Sequence, residues 1–362
     1  MAKRCWENSA MDDLNAPSPP PPERESVELE VMQPKPPFLY FLFLGPGGLR
    51  AGWRLVIYYA LYEACIYFGG QLATLWNSTA TSRLWFYMFG ECVFLGSSLL
   101  AALVMARIEN RSFGDYGLPR RGAFAKLFWV GALWGLAAIT ALLVAMREAH
   151  VFDFGHLMLH GLRLVKFAVF WAVFFLLVGF YEEFHFRGYV LFTLSKALKF
   201  LDRFVPGNAA SRAPAMLSYW LAAALLSARF GGVHLSNAGE NWAGALAAAL
   251  LGLFFCLTLR RTGNLWFAVG FHTSFDWGET YLYSVPNSGM SSPGHLLSSS
   301  FHGPAWLTGG SVGPEGSVLV FVMIVALWIA FDRTYHEVRY PGPPLSREVP
   351  RRAAERRGQA HL

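Results

Sequence analysis

The stretch that decides this chain is FLLVGFYEEFHFRGYVLF, residues 175 to 192. It is apolar at both ends, yet Glu182, Glu183, His185 and Arg187 stand together in its middle. An ionisable side chain at membrane depth costs about 2.5–3.5 kcal/mol even on insertion scales, so such a group reads as functional by default.

The rest of the chain gives this stretch its setting. Of 362 residues, 54% are hydrophobic and 15% charged, where a soluble domain carries roughly a quarter charged. The apolar residues fall in blocks of about 17 to 25, the length that crosses a hydrocarbon core of about 30 Å. The expectation is an all-α, polytopic transmembrane helical bundle of about eight spans with disordered tails. The spans are expected near 55–76, 84–106, 127–146, 164–184, 215–235, 241–259, 264–285 and 317–331.

Five regions follow. Residues 1–37 are Pro- and charge-rich, with too little apolar surface to fold, and read as a disordered cytoplasmic tail. They lack the pattern of a signal peptide. Residues 38–163 hold spans one to three, 164–285 spans four to seven with the polar motifs, and 286–332 an outer loop and the last span. Residues 333–362 form a basic cytoplasmic tail.

Charge placement gives an orientation and excludes a partner class. Arg107, Arg111, Arg120, Arg121 and Lys126 fill one connection, Lys196, Lys199, Arg203 and Arg212 another, and Arg260 and Arg261 mark a third. The alternate connections, 236–240 and 286–316, contain no Lys or Arg. The positive-inside rule then puts both termini in the cytoplasm, as an even span number requires. The net charge of +6 is thus explained by topology and anionic lipid, and nucleic acid is not an expected partner. Cys5, Cys65, Cys92 and Cys256 are scattered, with no zinc or disulfide spacing.

Three places carry chemistry. Glu183 and Arg187, four apart, meet on one helix face and neutralise each other. Glu182 points about 100° away and is left as a candidate base. SARFGGVHLSN brings Phe230 and His234; GNLWFAVGFHTSFDWGE brings His272 and Asp276, again four apart. Polar groups from three spans converging inward make a site between facing helices. Taken singly, each has a plainer reading: a packing histidine, a helix clamp, a solvated aspartate. His156 and His160 are also four apart, but read as interfacial polar residues.

Together, EEFHFR at 182–187, FGGVH at 230–234 and HTSFD at 272–276 resemble the EExxxR, FxxxH and HxxxN/D signatures of the CPBP (CAAX protease and bacteriocin-processing, ABI) family of intramembrane endopeptidases. RRTGNLWFAVGFH (260–272) and SFGDYGLP (112–119) fit the same resemblance, which covers about 107–285. It implies hydrolysis of a peptide bond in a membrane-associated substrate, CAAX-type prenylated proteins among them, without a covalent intermediate. Glu182 would activate water with help from His234, His272 with Asp276 would stabilise the oxyanion, and Glu183, Arg187 and Phe230 would support the site.

Family members often carry Asn where Asp276 stands. An ionised Asp accepts hydrogen bonds only, so its preferred role here is to orient His272 through a ring nitrogen. No cofactor is expected. Zinc on Glu182, His234 and His272 is the alternative, since the family is also described as metalloproteases, but no HExxH is present. A transporter or proton relay, or a non-catalytic immunity or interaction protein, are the competing functions. The expected location is a bacterial inner membrane.

One conflict stands in this reading. Glu182 falls near the cytoplasmic end of the fourth span, while a straight fifth span from 215 carries His234 about 28 Å away, at ~1.5 Å per residue. A long fourth helix running past Gly188, or a fifth broken near Gly231–Gly232, would bring them together. The segment 196–214 is expected to hold an interfacial helix.

Overall fold

A computed structural model describes residues 42–45, 48–75, 80–204 and 217–340. The expected disordered tail 1–37 lies outside the described residues, as does 341–362 of the tail expected from 333; residues 333–340 are instead ordered, the last helix running to Thr334 and the backbone of Arg339 and Tyr340 bonding Arg260 O.

The fold is helical. In chain order come α1 (Ala51–Ala73), α2 (Ala80–Ile108), α3 (Lys126–Glu148), α4 (Leu162–Glu182), α5 (Leu191–Ala197), α6 (Leu217–His234), α7 (Trp242–Thr262), α8 (Trp266–Trp277) and α9 (Val318–Thr334). Two-residue strands pair antiparallel in two places: β1 (Leu44–Gly45) with β2 (Gly48–Leu49), and β3 (Phe152–Asp153) with β4 (Ser300–Phe301).

A helix stands at each of the eight anticipated segments, and they differ in length and apolar character. Among the described residues, four helical segments are long and apolar enough to cross a membrane: Leu84–Ile108, Lys126–Glu148, Leu162–Phe204 and Trp242–Thr262. The remaining four fall short for different reasons. Helix α8 has only 12 residues, α9 has 17, α6 ends in polar residues including Arg229 and His234, and α1 carries Arg54 and Glu63 among many tyrosines. Four of the eight anticipated segments thus meet both measures among the described residues.

The segment Leu162–Phe204 is one helical run of 43 residues. It is not uniform. Between α4 and α5, residues Glu183–Val190 wind as a π-helix, all eight of them buried, and Gly188 leaves helical geometry (φ −83°, ψ −107°). Insertions of this kind are rare in helices and widen the turn where they occur. A Cβ on Gly188 would stand 2.7 Å from the Phe184 ring, so the kink needs glycine. Helix α6 runs unbroken through Gly231 and Gly232. Of the two ways to bring Glu182 and His234 together, the long fourth helix is the one the chain uses. The segment 198–204 continues it as a 3₁₀ turn, and 205–216 lies outside the described residues.

The short helix α8 is placed by backbone contact. A Cβ on Gly131 would collide with the carbonyl of Phe267, one on Gly135 with that of Phe271, and one on Gly270 with that of Phe128. Glycines four apart let two helix backbones approach closely, the usual device for helix pairing in lipid. Gly179 does the same between α4 and α8, where a Cβ would stand 3.3 Å from the Cβ of His272. The motif-bearing faces of α4 and α8 are thus pressed together by absent side chains.

The chain between α8 and α9 folds back over one end of the bundle. Gly289 donates to Val312 O at 2.9 Å, and Asn237 Nδ2 to Ser288 O at 3.1 Å. Glu315 accepts from Ser288 N at 2.6 Å and from its hydroxyl at 2.9 Å. At the other end, Glu109 binds Arg54, Arg111 and the Tyr189 hydroxyl, and Leu265 N donates to Gly117 O within the SFGDYGLP turn.

Candidate active site

Glu183 and Arg187 form the expected ion pair, at 3.1 Å, with side chains 0% and 1% exposed. Two buried charges are tolerable only when paired and hydrogen-bonded. The pair does more than neutralise itself. The same Glu183 oxygen, Oε1, lies 2.9 Å from Nδ1 of His272, so one carboxylate joins the first motif to the third.

Phe230 joins the second motif to the first. The Arg187 guanidinium sits 4.0 Å from the centre of its ring, a cation–π contact in a desolvated place. A Cβ on Gly252 would collide with Arg187 Nη2, so α7 makes room for this arginine. The Phe230 carbonyl meets His234 Nδ1 at 2.7 Å. With Nδ1–H donating there, the other ring nitrogen of His234, Nε2, is an acceptor. Phe255 stacks on His272, ring centres 5.6 Å apart at 19°.

Nε2 of His272 stands 3.5 Å from Glu182 Oε2 and 3.6 Å from Asp276 Oδ2. The carboxylate at hydrogen-bond distance from a ring nitrogen is that of Glu183, whereas Asp276 lies on the other side of the ring. Glu182, His234, His272 and Asp276 all line one cavity of about 240 Å³, together with Phe230. Glu183 and Arg187 stay behind its wall.

Sequence reasoning missed other groups that line this cavity: Glu91 from α2, and Asn287, Ser288 and Glu315 from the fold-back segment. Glu91 is visible in the sequence only as a lone carboxylate in an apolar run. The others depend on how a Gly- and Ser-rich loop closes. His185 does not reach the cavity. It is 2% exposed and its Nδ1 lies 3.2 Å from the Tyr58 hydroxyl. His156 bonds the Ser298 hydroxyl, at 2.8 Å, on the loop surface.

Among the described residues, no three His, Cys, Asp or Glu side chains stand together as metal ligands.

The buried Glu183–Arg187 pair, two histidines on a shared cavity and a π-wound helix make a polar site enclosed by apolar helices. Residues 164–278, a little under a third of the chain, match the family model described as Type II CAAX prenyl endopeptidase Rce1-like. The match contains all three motifs, and the resemblance read from them is shown over this segment. With four helical segments long and apolar enough to cross a membrane and this family match, the chain is an integral membrane protein. No curated protein and no solved structure matches it.

Proposed function

We propose that the chain is an intramembrane endopeptidase that hydrolyses a peptide bond of a membrane-associated substrate through a glutamate-activated water. The observation that carries this reading is His272, held at Nδ1 by Glu183 and facing Glu182 with Nε2, on a cavity that His234 shares.

Glu182 accepts a proton from water and His234 Nε2 holds that water by accepting its second hydrogen. The oxygen attacks the scissile carbonyl, and the C=O becomes a tetrahedral oxyanion. His272 enters doubly protonated, Nδ1–H donating to Glu183 and Nε2–H to the oxyanion, which is the electrostatic role that dominates such reactions. Collapse breaks the C–N bond, and Glu182 returns its proton to the leaving amine. Asp276 balances the His272 charge. No step passes through a metal.

Glu182, His234, His272 and Asp276 gather on one cavity, which favours hydrolysis over transport. Both termini are proposed to face the cytoplasm of a bacterial cell, from the basic connections. The test is cleavage of quenched apolar peptides by the full chain in liposomes. Cleavage lost in Glu182→Gln supports the peptidase; proton-coupled flux with no cleavage of any peptide contradicts it.

A further inference from the structure

Two asparagines line the cavity, Asn237 and Asn287. Asn237 holds the fold together, its Nδ2 donating to Ser288 O at 3.1 Å. Asn287 does not. Its Nδ2 is buried without a hydrogen-bond partner among the described residues, although the side chain stands beside the Asp276 carboxylate. A buried donor without an acceptor is uncommon in a native fold and calls for a reason.

The backbone around this side chain is tied down. Asn287 N donates to Met290 O at 2.9 Å, and Met290 N returns a bond to Asn287 O at 2.8 Å. Ser288 takes a positive φ of 44°, a conformation that persists in a non-glycine residue only where its neighbours enforce it. Here they do: Glu315 accepts from Ser288 N and from its hydroxyl, and Gly289 N donates to Val312 O. Gly289 also packs on Gly239 with no room for a Cβ on either residue. The turn thus carries the Asn287 amide on a fixed base, on the same cavity as Glu182, His234 and His272.

The chemistry has a place for such a donor. An ionised Asp276 accepts hydrogen bonds and donates none, which leaves Nε2–H of His272 as the donor from the third motif. An amide nitrogen carries two N–H groups, so one can turn to Asp276 while the other stays free for substrate.

Resting on the peptidase reading, we propose that Asn287 is a second catalytic donor, its Nδ2–H binding the tetrahedral oxyanion beside Nε2–H of His272. As the water oxygen bonds to the scissile carbonyl carbon, the C=O π pair moves onto oxygen and the amide hydrogen-bonds to it. Asn287 transfers no proton and is unchanged when the C–N bond breaks. A donor held in place before the charge develops is the arrangement that stabilises such a transition state most.

The test uses the full chain in liposomes, with melting followed in parallel. Asn287→Ala should lower kcat on quenched apolar peptides by about 10²–10³-fold, the cost of losing one oxyanion donor, with KM little changed. Asn287→Asp, which keeps the size and loses the amide, should fall as far. A second reading needs no turnover. In the Glu182→Gln background, a peptide with a phosphinate in place of the scissile amide is compared with its amide parent by calorimetric titration. Asn287→Ala should weaken phosphinate binding by about tenfold or more and leave amide binding in place, because the donor acts on the tetrahedral form. The ratio of the two affinities does not depend on how much of the variant is folded. Cleavage that is lost in Glu182→Gln yet retained in Asn287→Ala overturns this proposal and leaves the peptidase reading standing. If no peptide is cleaved, the peptidase reading fails and the ratio still decides the donor. A ratio that falls in Asn287→Ala supports it; an unchanged ratio, or no phosphinate binding at all, overturns it.

Discussion

Nδ1 of His272 lies 2.9 Å from Oε1 of Glu183, the oxygen that also receives Arg187 at 3.1 Å. The bond fixes which ring nitrogen of His272 faces the cavity, because the buried one is occupied. It also makes Glu183 the hinge between the stability of the site and its chemistry.

Removing one partner of this pair strands a buried charge, which costs about 3–5 kcal/mol. Glu183→Gln and Arg187→Met are each expected to lower the melting temperature in detergent sharply. The double variant should melt above the sum of the two losses, since neither charge is then alone. A strictly additive double variant would contradict the pairing.

Gly270 packs against the Phe128 carbonyl with no room for a Cβ. Gly270→Val should therefore displace α8 and with it His272. Both thermal stability and hydrolysis should fall together, and the size should fit overpacking, about 1–3 kcal/mol or more. Unchanged melting would show that α3 and α8 are not this close.

His185 serves as a contrast. It sits in an aromatic cage with Tyr58, Tyr59, Tyr62 and Tyr181, away from the cavity. His185→Phe should retain hydrolysis and alter stability by about the value of one hydrogen bond, ~1 kcal/mol. A hydrolysis rate that collapses without unfolding would place His185 in the chemistry after all.

Much of this site is legible in the sequence because its links are local. Glu183 and Arg187 are one helical turn apart, as are Phe230 and His234, and His272 and Asp276, so spacing alone puts each couple on one face. What spacing does not carry is the link between couples. The Glu183–His272 bond joins residues 89 apart, and the Arg187–Phe230 contact crosses from the long fourth helix to α6. The length of the fourth helix is not legible for the same reason. Hydropathy ends a span where charges begin, whereas the π-wound turn buries those charges and lets the helix continue to Phe204. Glu315 and Asn287 were out of reach because a loop rich in Gly and Ser has no periodicity to read.

Among the described residues His234 and His272 belong to no three-ligand set, and the proposed steps need none. Hydrolysis measured after dialysis against a strong chelator should equal that of the untreated protein, and added zinc should not raise it. A rate abolished by the chelator and restored by zinc would overturn the metal-free route while leaving the peptidase reading in place.

The most direct measurement compares wild-type protein with Glu182→Gln in liposomes, on the same quenched apolar peptides and with melting followed in parallel. The account predicts a loss of about 10²–10⁴-fold, the contribution of a positioned general base, with the melting temperature unchanged. Hydrolysis by Glu182→Gln at the wild-type rate would contradict the account at its centre.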